Sequence, residues 1–173
     1  PRAAASGLPI GVVLRDRTFL LFMAAAAFIQ GSHGVYYAFG TLHWKSVGYS
    51  EDVIGWLWAE GVIAEIILFA FGAALVRRLG PAGLMVLGGG AATLRWGVTG
   101  LSDALPVLAV VQALHALTFG ATHLGAIHFI SRAMPPALSA TAQSVYAAVV
   151  MGMGMGVSIF ASGKLYALFG GAG

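Results

Sequence analysis

Two carboxylates lie inside a long apolar stretch of this sequence. Glu60 and Glu65 interrupt the run EDVIGWLWAEGVIAEIILFAFGAALVRRLG, residues 51–80, which otherwise has the composition of a membrane-spanning helix. A charge at the centre of such a helix costs about 2.5 kcal/mol or more, so acids there usually bind protons, pair with cations or line cavities. Either carboxyl could instead be protonated for packing alone. The two acids are five residues apart, about 140° round a helix, so they do not face one point.

Other polar side chains lie at a similar depth in the neighbouring apolar runs. At about 1.5 Å per residue, Gln30 and His33 lie within about 5 Å of the middle of their predicted helix. Arg95 and His115 each lie about 5 Å outward of the middle of theirs. Opposite charges at one depth can pair, which lowers the cost of burying either. The agreement predicts one polar layer, whose proton-coupling candidates are Glu60, Glu65, Arg95 and His115.

These polar residues also share helix faces. Gln30, His33 and Tyr37 are spaced i, i+3, i+7, and a second stripe runs from Gln112 through His115 and Phe119 to His123. Each of them could simply pack, satisfy a backbone carbonyl or, for the arginine, reach the outer surface. Taken together they predict hydrogen bonding to a solute, and the substrate-binding candidates are Gln30, His33, Tyr37, Gln112, His123 and Gln143.

The composition excludes several classes of protein. Of the 173 residues, 59% are hydrophobic and 9% are charged, whereas soluble domains carry about 25% charged residues. The net charge of +3 does not indicate nucleic-acid binding, because the basic residues stand singly or in pairs at the ends of apolar runs. The absence of cysteine excludes disulfides and thiol chemistry. No metal or nucleotide motif is present, so we expect a membrane protein without a cofactor and not an enzyme.

The apolar runs predict an all-α, polytopic membrane helix bundle. Each predicted span is long enough for a crossing, which needs roughly 20 residues, and turn-forming residues such as Gly80-Pro81 and Pro135-Pro136 separate the spans. No segment alternates as a strand does. The five predicted transmembrane helices are residues 18–43, 52–78, 82–101, 105–132 and 138–163.

The distribution of basic residues predicts the orientation. With the N-terminus in the cytoplasm, six arginines lie on the cytoplasmic side, whereas only Lys45 and Lys164 lie outside. An odd number of spans then leaves the C-terminus outside. We therefore expect a multi-pass protein of the cytoplasmic (inner) membrane, and a fragment from which a further helix is missing.

Three stretches resemble a known family. The run QGSHGVYYAFGTLHWKSVGYSEDVIGWLWAEGVIAEIILFAFG, residues 30–72, resembles the seventh and eighth helices of major facilitator superfamily transporters, in particular the branch of phenylpropionic acid permeases, related to lactose and nucleoside proton symporters. QALHALTFGATHLGAIHFISR, residues 112–132, and AQSVYAAVVMGMGMG, residues 142–156, resemble helices ten and eleven of that branch. The resemblance implies that residues 1–173 form a C-terminal transmembrane half-domain whose N-terminal half and last helix are absent.

The resemblance also implies roles for particular residues. Lactose permease couples protons through a carboxylate on helix eight, an arginine on helix nine and a histidine on helix ten; Glu60 or Glu65, Arg95 and His115 stand in similar places. Lactose permease has a further acid one turn after its histidine, where this chain has Thr118 and Phe119. Any proton acceptor here would therefore be an acid of the second predicted helix, with Arg95 adjusting its proton affinity or holding an anionic solute.

Three functions remain open from the sequence. The first is a secondary active transporter that carries a small organic solute (aromatic acid, nucleoside or sugar) by proton symport, with the lipid bilayer, the solute, protons and the absent N-terminal half as partners. The second is a membrane scaffold subunit without transport. The third is a haem-binding redox protein, because His115 and His128 are thirteen residues apart and could bracket two haems.

Overall fold

A computed structural model describes residues 10–169, and within that range it contains helices and short connections without any strand. Two segments inside the later helices have π-helical hydrogen bonding; they are called here the first π-helical segment (Ala116–Ala121) and the second π-helical segment (Ala147–Gly154). The α-helices are α1 (Ile10–Val13), α2 (Arg17–Gly31), α3 (Gly34–Val47), α4 (Glu51–Ala70), α5 (Gly72–Thr99), α6 (Leu105–Ala113), α7 (Thr122–Ala133), α8 (Pro136–Tyr146) and α9 (Met155–Phe169).

The prediction of a helical membrane bundle is confirmed. By length and composition, four helical stretches could cross a membrane: Arg17–Val47, Glu51–Ala70, Leu105–Ala133 and Pro136–Leu168. The predicted third span, 82–101, is helical as far as Thr99 but is not one of these four. The buried Arg95 and several glycines make it less apolar than the others, so its crossing stays a prediction.

Helix ends follow local chemistry. The side chain of Asp16 accepts a hydrogen bond from the amide of Phe19 at 2.8 Å, and Ser50 caps α4 in the same way, which satisfies amides that have no partner inside the helix. Gly48 ends α3 in the left-handed conformation. Gly80, with φ of 66°, breaks α5 immediately before Pro81, as the predicted turn requires.

The apolar core forms three clusters that surround the polar layer. One contains Phe19, Ile130 and Tyr146, a second contains Tyr36, Trp44 and Leu108, and the third joins α4, α5 and the first π-helical segment. Close packing of α5 against the α7 side depends on Gly88, since a Cβ there would lie 2.0 Å from Oγ1 of Thr122. This close approach places α5 against the helical stretch Leu105–Ala133, which also carries His115.

Candidate functional site

Arg95 lies at the centre of the polar layer and is completely buried. Its Nη2 donates to Oε1 of Gln112 at 2.6 Å, and its Nη1 donates to Oγ1 of Thr118 at 3.1 Å. The same Nη1 lies 3.1 Å from Nδ1 of His115. All three partners belong to α6 or the helical stretch that follows it, so the guanidinium fastens α5 to that helix.

Two aromatic rings pack against this guanidinium. Its Cζ lies 4.7 Å from the ring centroid of Tyr36 and 4.5 Å from that of Trp96, within the range of a cation–π interaction. Both rings are tied in place by their polar atoms: the Tyr36 hydroxyl donates to Gln112 at 3.0 Å and the Trp96 indole to Ser32 at 2.8 Å. Of the three guanidinium nitrogens, only Nε has no hydrogen-bond partner among the described residues.

The tautomer of His115 follows from its partner. Arginine only donates, so Nδ1 of His115 accepts from Nη1 and the ring hydrogen of the neutral histidine is on Nε2. Nε2 lies 3.7 Å from Oε2 of Glu65, longer than a hydrogen bond but within the range of an ion pair. The donor side of the ring therefore points at the carboxylate.

Two glycines make room for that pair. A Cβ at Gly61 would lie 3.3 Å from Cβ of His115, and a Cβ at Gly120 would lie 3.2 Å from Cγ of Glu65. Both distances are tighter than ordinary contacts, so the two glycines set how closely α4 approaches the first π-helical segment. The side chains of His115 and Glu65 remain 10% and 16% exposed.

His33 forms the other arm of the network. Its Nδ1 lies 3.2 Å from the carbonyl oxygens of Ile29 and Gln30, which only accept, so Nδ1 carries a hydrogen. In the neutral ring, Nε2 then accepts from the hydroxyl of Thr118 at 3.0 Å. Hydrogen bonds thus run outward from Arg95 through Thr118 to His33, and through His115 towards Glu65.

The structure keeps the two acids of α4 apart. Glu60 lies in an open groove between α4 and α6, and no hydrogen bond or ion pair to it occurs among residues 10–169. Arg95 reaches neither acid directly, because His115 lies between it and Glu65. The predicted pairing of acid and guanidinium is therefore indirect.

Four half-exposed or exposed rings continue the site along one side, and we call them the aromatic wall: Tyr37, Trp58, Phe119 and His123. Tyr37 and Trp58 stack with centroids 6.0 Å apart, and Phe119 stacks on His123 at 6.3 Å. The rings of His33 and His115 connect the two pairs, at 5.6 Å from Tyr37 and 5.4 Å from Phe119 respectively. A planar solute could stack on this surface beside Glu65.

The remaining predicted residues lie at the margins of the site. Nε2 of Gln30 donates to the carbonyl of Phe119 at 3.4 Å, while its Oε1 has no partner among the described residues. Nδ1 of His123 lies 3.2 Å from the Tyr146 hydroxyl. Gln143 donates to Ser139 on its own helix and makes no hydrogen bond to the Arg95 network.

Sequence reasoning did not select three members of the network: Tyr36, Trp96 and Thr118. Signals for two of them existed, because Tyr36 is three residues after His33 and Thr118 is three residues after His115, on the same helix faces. Within residues 10–169 no three histidine, aspartate or glutamate side chains gather as metal ligands would.

Comparison with known proteins identifies the family. Residues 10–172 match the MFS_1 like family. Over 149 residues, 86% of this chain, the sequence is 38% identical to a protein of Escherichia coli (strain K12) named "Probable 3-phenylpropionic acid transporter". Over 154 residues, 89% of this chain, it is 25% identical to "Uncharacterized transporter YwbF" of Bacillus subtilis (strain 168).

The match covers only part of those relatives. In both cases the aligned segment is 39% of the relative's length. No solved structure matches the chain. The predicted resemblance to phenylpropionic acid permeases is confirmed by the family match and the 38% identity. The chain belongs to the MFS_1 like family of the major facilitator superfamily, a family of membrane transporters and not of enzymes.

Proposed function

We propose that this chain forms part of a secondary active transporter that couples the uptake of a small organic solute to proton entry across the cytoplasmic membrane, with its N-terminus on the cytoplasmic side. One observation carries the proposal: a partly exposed carboxylate, Glu65, faces the N–H of His115, whose other ring nitrogen accepts from the buried Arg95. A carboxylate at mid-membrane that is separated from a fixed positive charge by one imidazole ring is suited to bind and release a proton.

Glu65 is the proton acceptor of this proposal. His115 receives a hydrogen bond at Nδ1, so a second proton on the ring would set two donors against each other. Glu60 has no contact with the network. Of the two acids of α4, Glu65 is the one that contacts the network, through His115.

Coupling follows from the charge of the enclosed site. When Glu65 is ionised, its charge balances that of Arg95 across His115. Once a solute that carries a carboxylate lies over the aromatic wall and water is excluded, an ionised Glu65 would give the site two negative charges against the single positive charge of Arg95, whereas a protonated Glu65 leaves one of each. The loaded transporter therefore changes conformation with Glu65 protonated, and loses the proton on the cytoplasmic side, where water returns.

The solute class that best fits is an aromatic acid. The aromatic wall offers ring faces for stacking, and the relative with 38% identity is named as a probable transporter of 3-phenylpropionic acid. Arg95 is covered by Tyr36 and Trp96 and its Nη atoms are occupied, so the solute's carboxylate is not bound by this guanidinium in the present conformation.

The test compares two matched substitutions in the full-length transporter reconstituted in liposomes. Glu65→Gln is expected to abolish accumulation driven by an acid exterior, while exchange of internal for external solute persists because it needs no net proton movement. Glu60→Gln, on the same helix, is expected to keep pH-driven accumulation. A protonophore should abolish this accumulation. Full accumulation by Glu65→Gln against a gradient contradicts the proposal.

A further inference from the structure

A second carboxylate remains unexplained by this mechanism. Glu60 lies about 14 Å along α4 from Glu51, well inside the span, and no described residue bonds to it. Carboxylates at such depth rarely face lipid; they usually pair, or face the bundle interior or water. Glu60 and Glu65 lie about 140° apart round α4, so Glu60 does not share the side that carries Glu65.

The surroundings of Glu60 form a groove of about 530 Å³ between α4 and α6. On α4 its five lining residues follow a helical stripe at i, i+3, i+4, i+7 and i+10, and on α6 two residues spaced i, i+4 form the opposite wall. Glu60 is the one ionisable residue of the lining, which consists of Val53, Trp56, Leu57, Glu60, Ile63, Leu105 and Ala109.

We propose that this groove seats a transmembrane helix from the part of the transporter that lies outside this chain, and that this helix presents a lysine, arginine or histidine to Glu60. The groove runs along two packed helices, which is how a third helix packs between neighbours, and Ala109 allows a close approach. The matched relatives are more than twice as long as the segment they share with this chain, so they contain further segments to occupy it.

The charge of Glu60 selects the occupant. A lipid chain would fill the apolar stripe formed by Trp56 and Ile63 but would leave the carboxylate without a partner. A basic side chain on an approaching helix would neutralise it, as opposite charges do inside membrane bundles. This inference does not depend on the proton cycle of Glu65.

Site-directed spin labelling tests whether the groove is covered. Residues 1–173 contain no cysteine, and any cysteine in the rest of the full-length transporter is first replaced by serine. Nitroxides are then attached at Ile63→Cys and Ala109→Cys in that transporter in liposomes, with Val86→Cys, 76% exposed on α5, as the control outside the groove. The groove labels should be shielded from both oxygen and a water-soluble nickel chelate, whereas the control label collides with oxygen. Strong collision of the groove labels with either agent overturns the proposal. So does loss of shielding when each liposome holds one molecule, because a second copy would then be the cover.

The charge of the partner is tested by thermal unfolding of the same protein. With a basic partner, Glu60→Leu leaves an uncompensated buried cation and lowers the midpoint, and Glu60→Gln, which keeps a hydrogen-bond acceptor, lowers it less. A raised midpoint for Glu60→Leu would mean that no cation faces this position, and the proposal fails.

Discussion

Nη1 of Arg95 lies 3.1 Å from Nδ1 of His115, and this contact fixes which side of the imidazole faces Glu65. A histidine so held is a spacer with a defined donor end. In the proposed mechanism it holds the carboxylate at a set distance from the buried cation and does not exchange the proton itself. The proton acceptor of that mechanism is then Glu65, the acid of α4 that lies against the ring.

The tautomer of His115 is directly measurable. We expect the neutral ring to carry its hydrogen on Nε2, because Arg95 only donates to Nδ1. Nitrogen NMR of the histidine-labelled transporter, with His115→Asn to assign the signal, should show an Nε2–H ring. A hydrogen on Nδ1 would contradict the arrangement of the network.

Replacement of Arg95 by lysine should impair transport strongly although charge is retained. An ammonium group lacks the planar fork that serves Gln112, Thr118 and His115 together, and each lost hydrogen bond to a charged group is worth about 1.5–3 kcal/mol, roughly tenfold or more in rate if it is lost at the rate-limiting step. Uptake by Arg95→Lys should therefore fall at least about tenfold. Arg77→Lys, at an exposed position of the same helix, is the control and should transport normally. Equal activities would show that only the charge of Arg95 matters.

Gly120→Ala should disturb coupling more than folding. The added Cβ would lie 3.2 Å from Cγ of Glu65, so the carboxylate must move by a few tenths of an ångström relative to His115. We expect proton-driven accumulation to fall while solute exchange and thermal stability are largely kept. Gly55→Ala on α4, where a Cβ would meet nothing within 4 Å, should leave accumulation unchanged. If both variants accumulate solute equally, Gly120 does not position Glu65.

Gly88→Ala should destabilise the bundle. Its Cβ would lie 2.0 Å from Oγ1 of Thr122 and 3.1 Å from the Leu117 carbonyl oxygen, and such overpacking typically costs about 1–3 kcal/mol. A second substitution, Thr122→Ala, removes the hydroxyl and should restore part of the loss. Gly90→Ala, which faces open space two residues along α5, should be neutral or stabilise by about 0.5–1 kcal/mol. Thermal unfolding in detergent measures all three, and equal midpoints for Gly88→Ala and Gly90→Ala would show that α5 does not need this close approach.

The helical membrane class could be read from the sequence because hydropathy acts locally. Runs of apolar residues must either cross the membrane or be buried inside the protein. The pair Gly80-Pro81 interrupts a helix through its own backbone preferences. Hydropathy gives a weaker signal for the third predicted span, residues 82–101, because Arg95 and the neighbouring glycines lower its mean hydropathy. The π-helical segments had no recognisable signal in the sequence.

The sequence by itself determined which residues share the polar layer, because depth along a helix depends only on residue count, and His33, Arg95 and His115 do lie close together. Only the tertiary structure decided which of these side chains contact each other. How each helix is rotated about its axis depends on side-chain packing with its neighbours, for which the sequence carries no local signal. That rotation brings His115, not an acid, to Arg95, sets Glu65 against the ring, and leaves Glu60 in a separate groove.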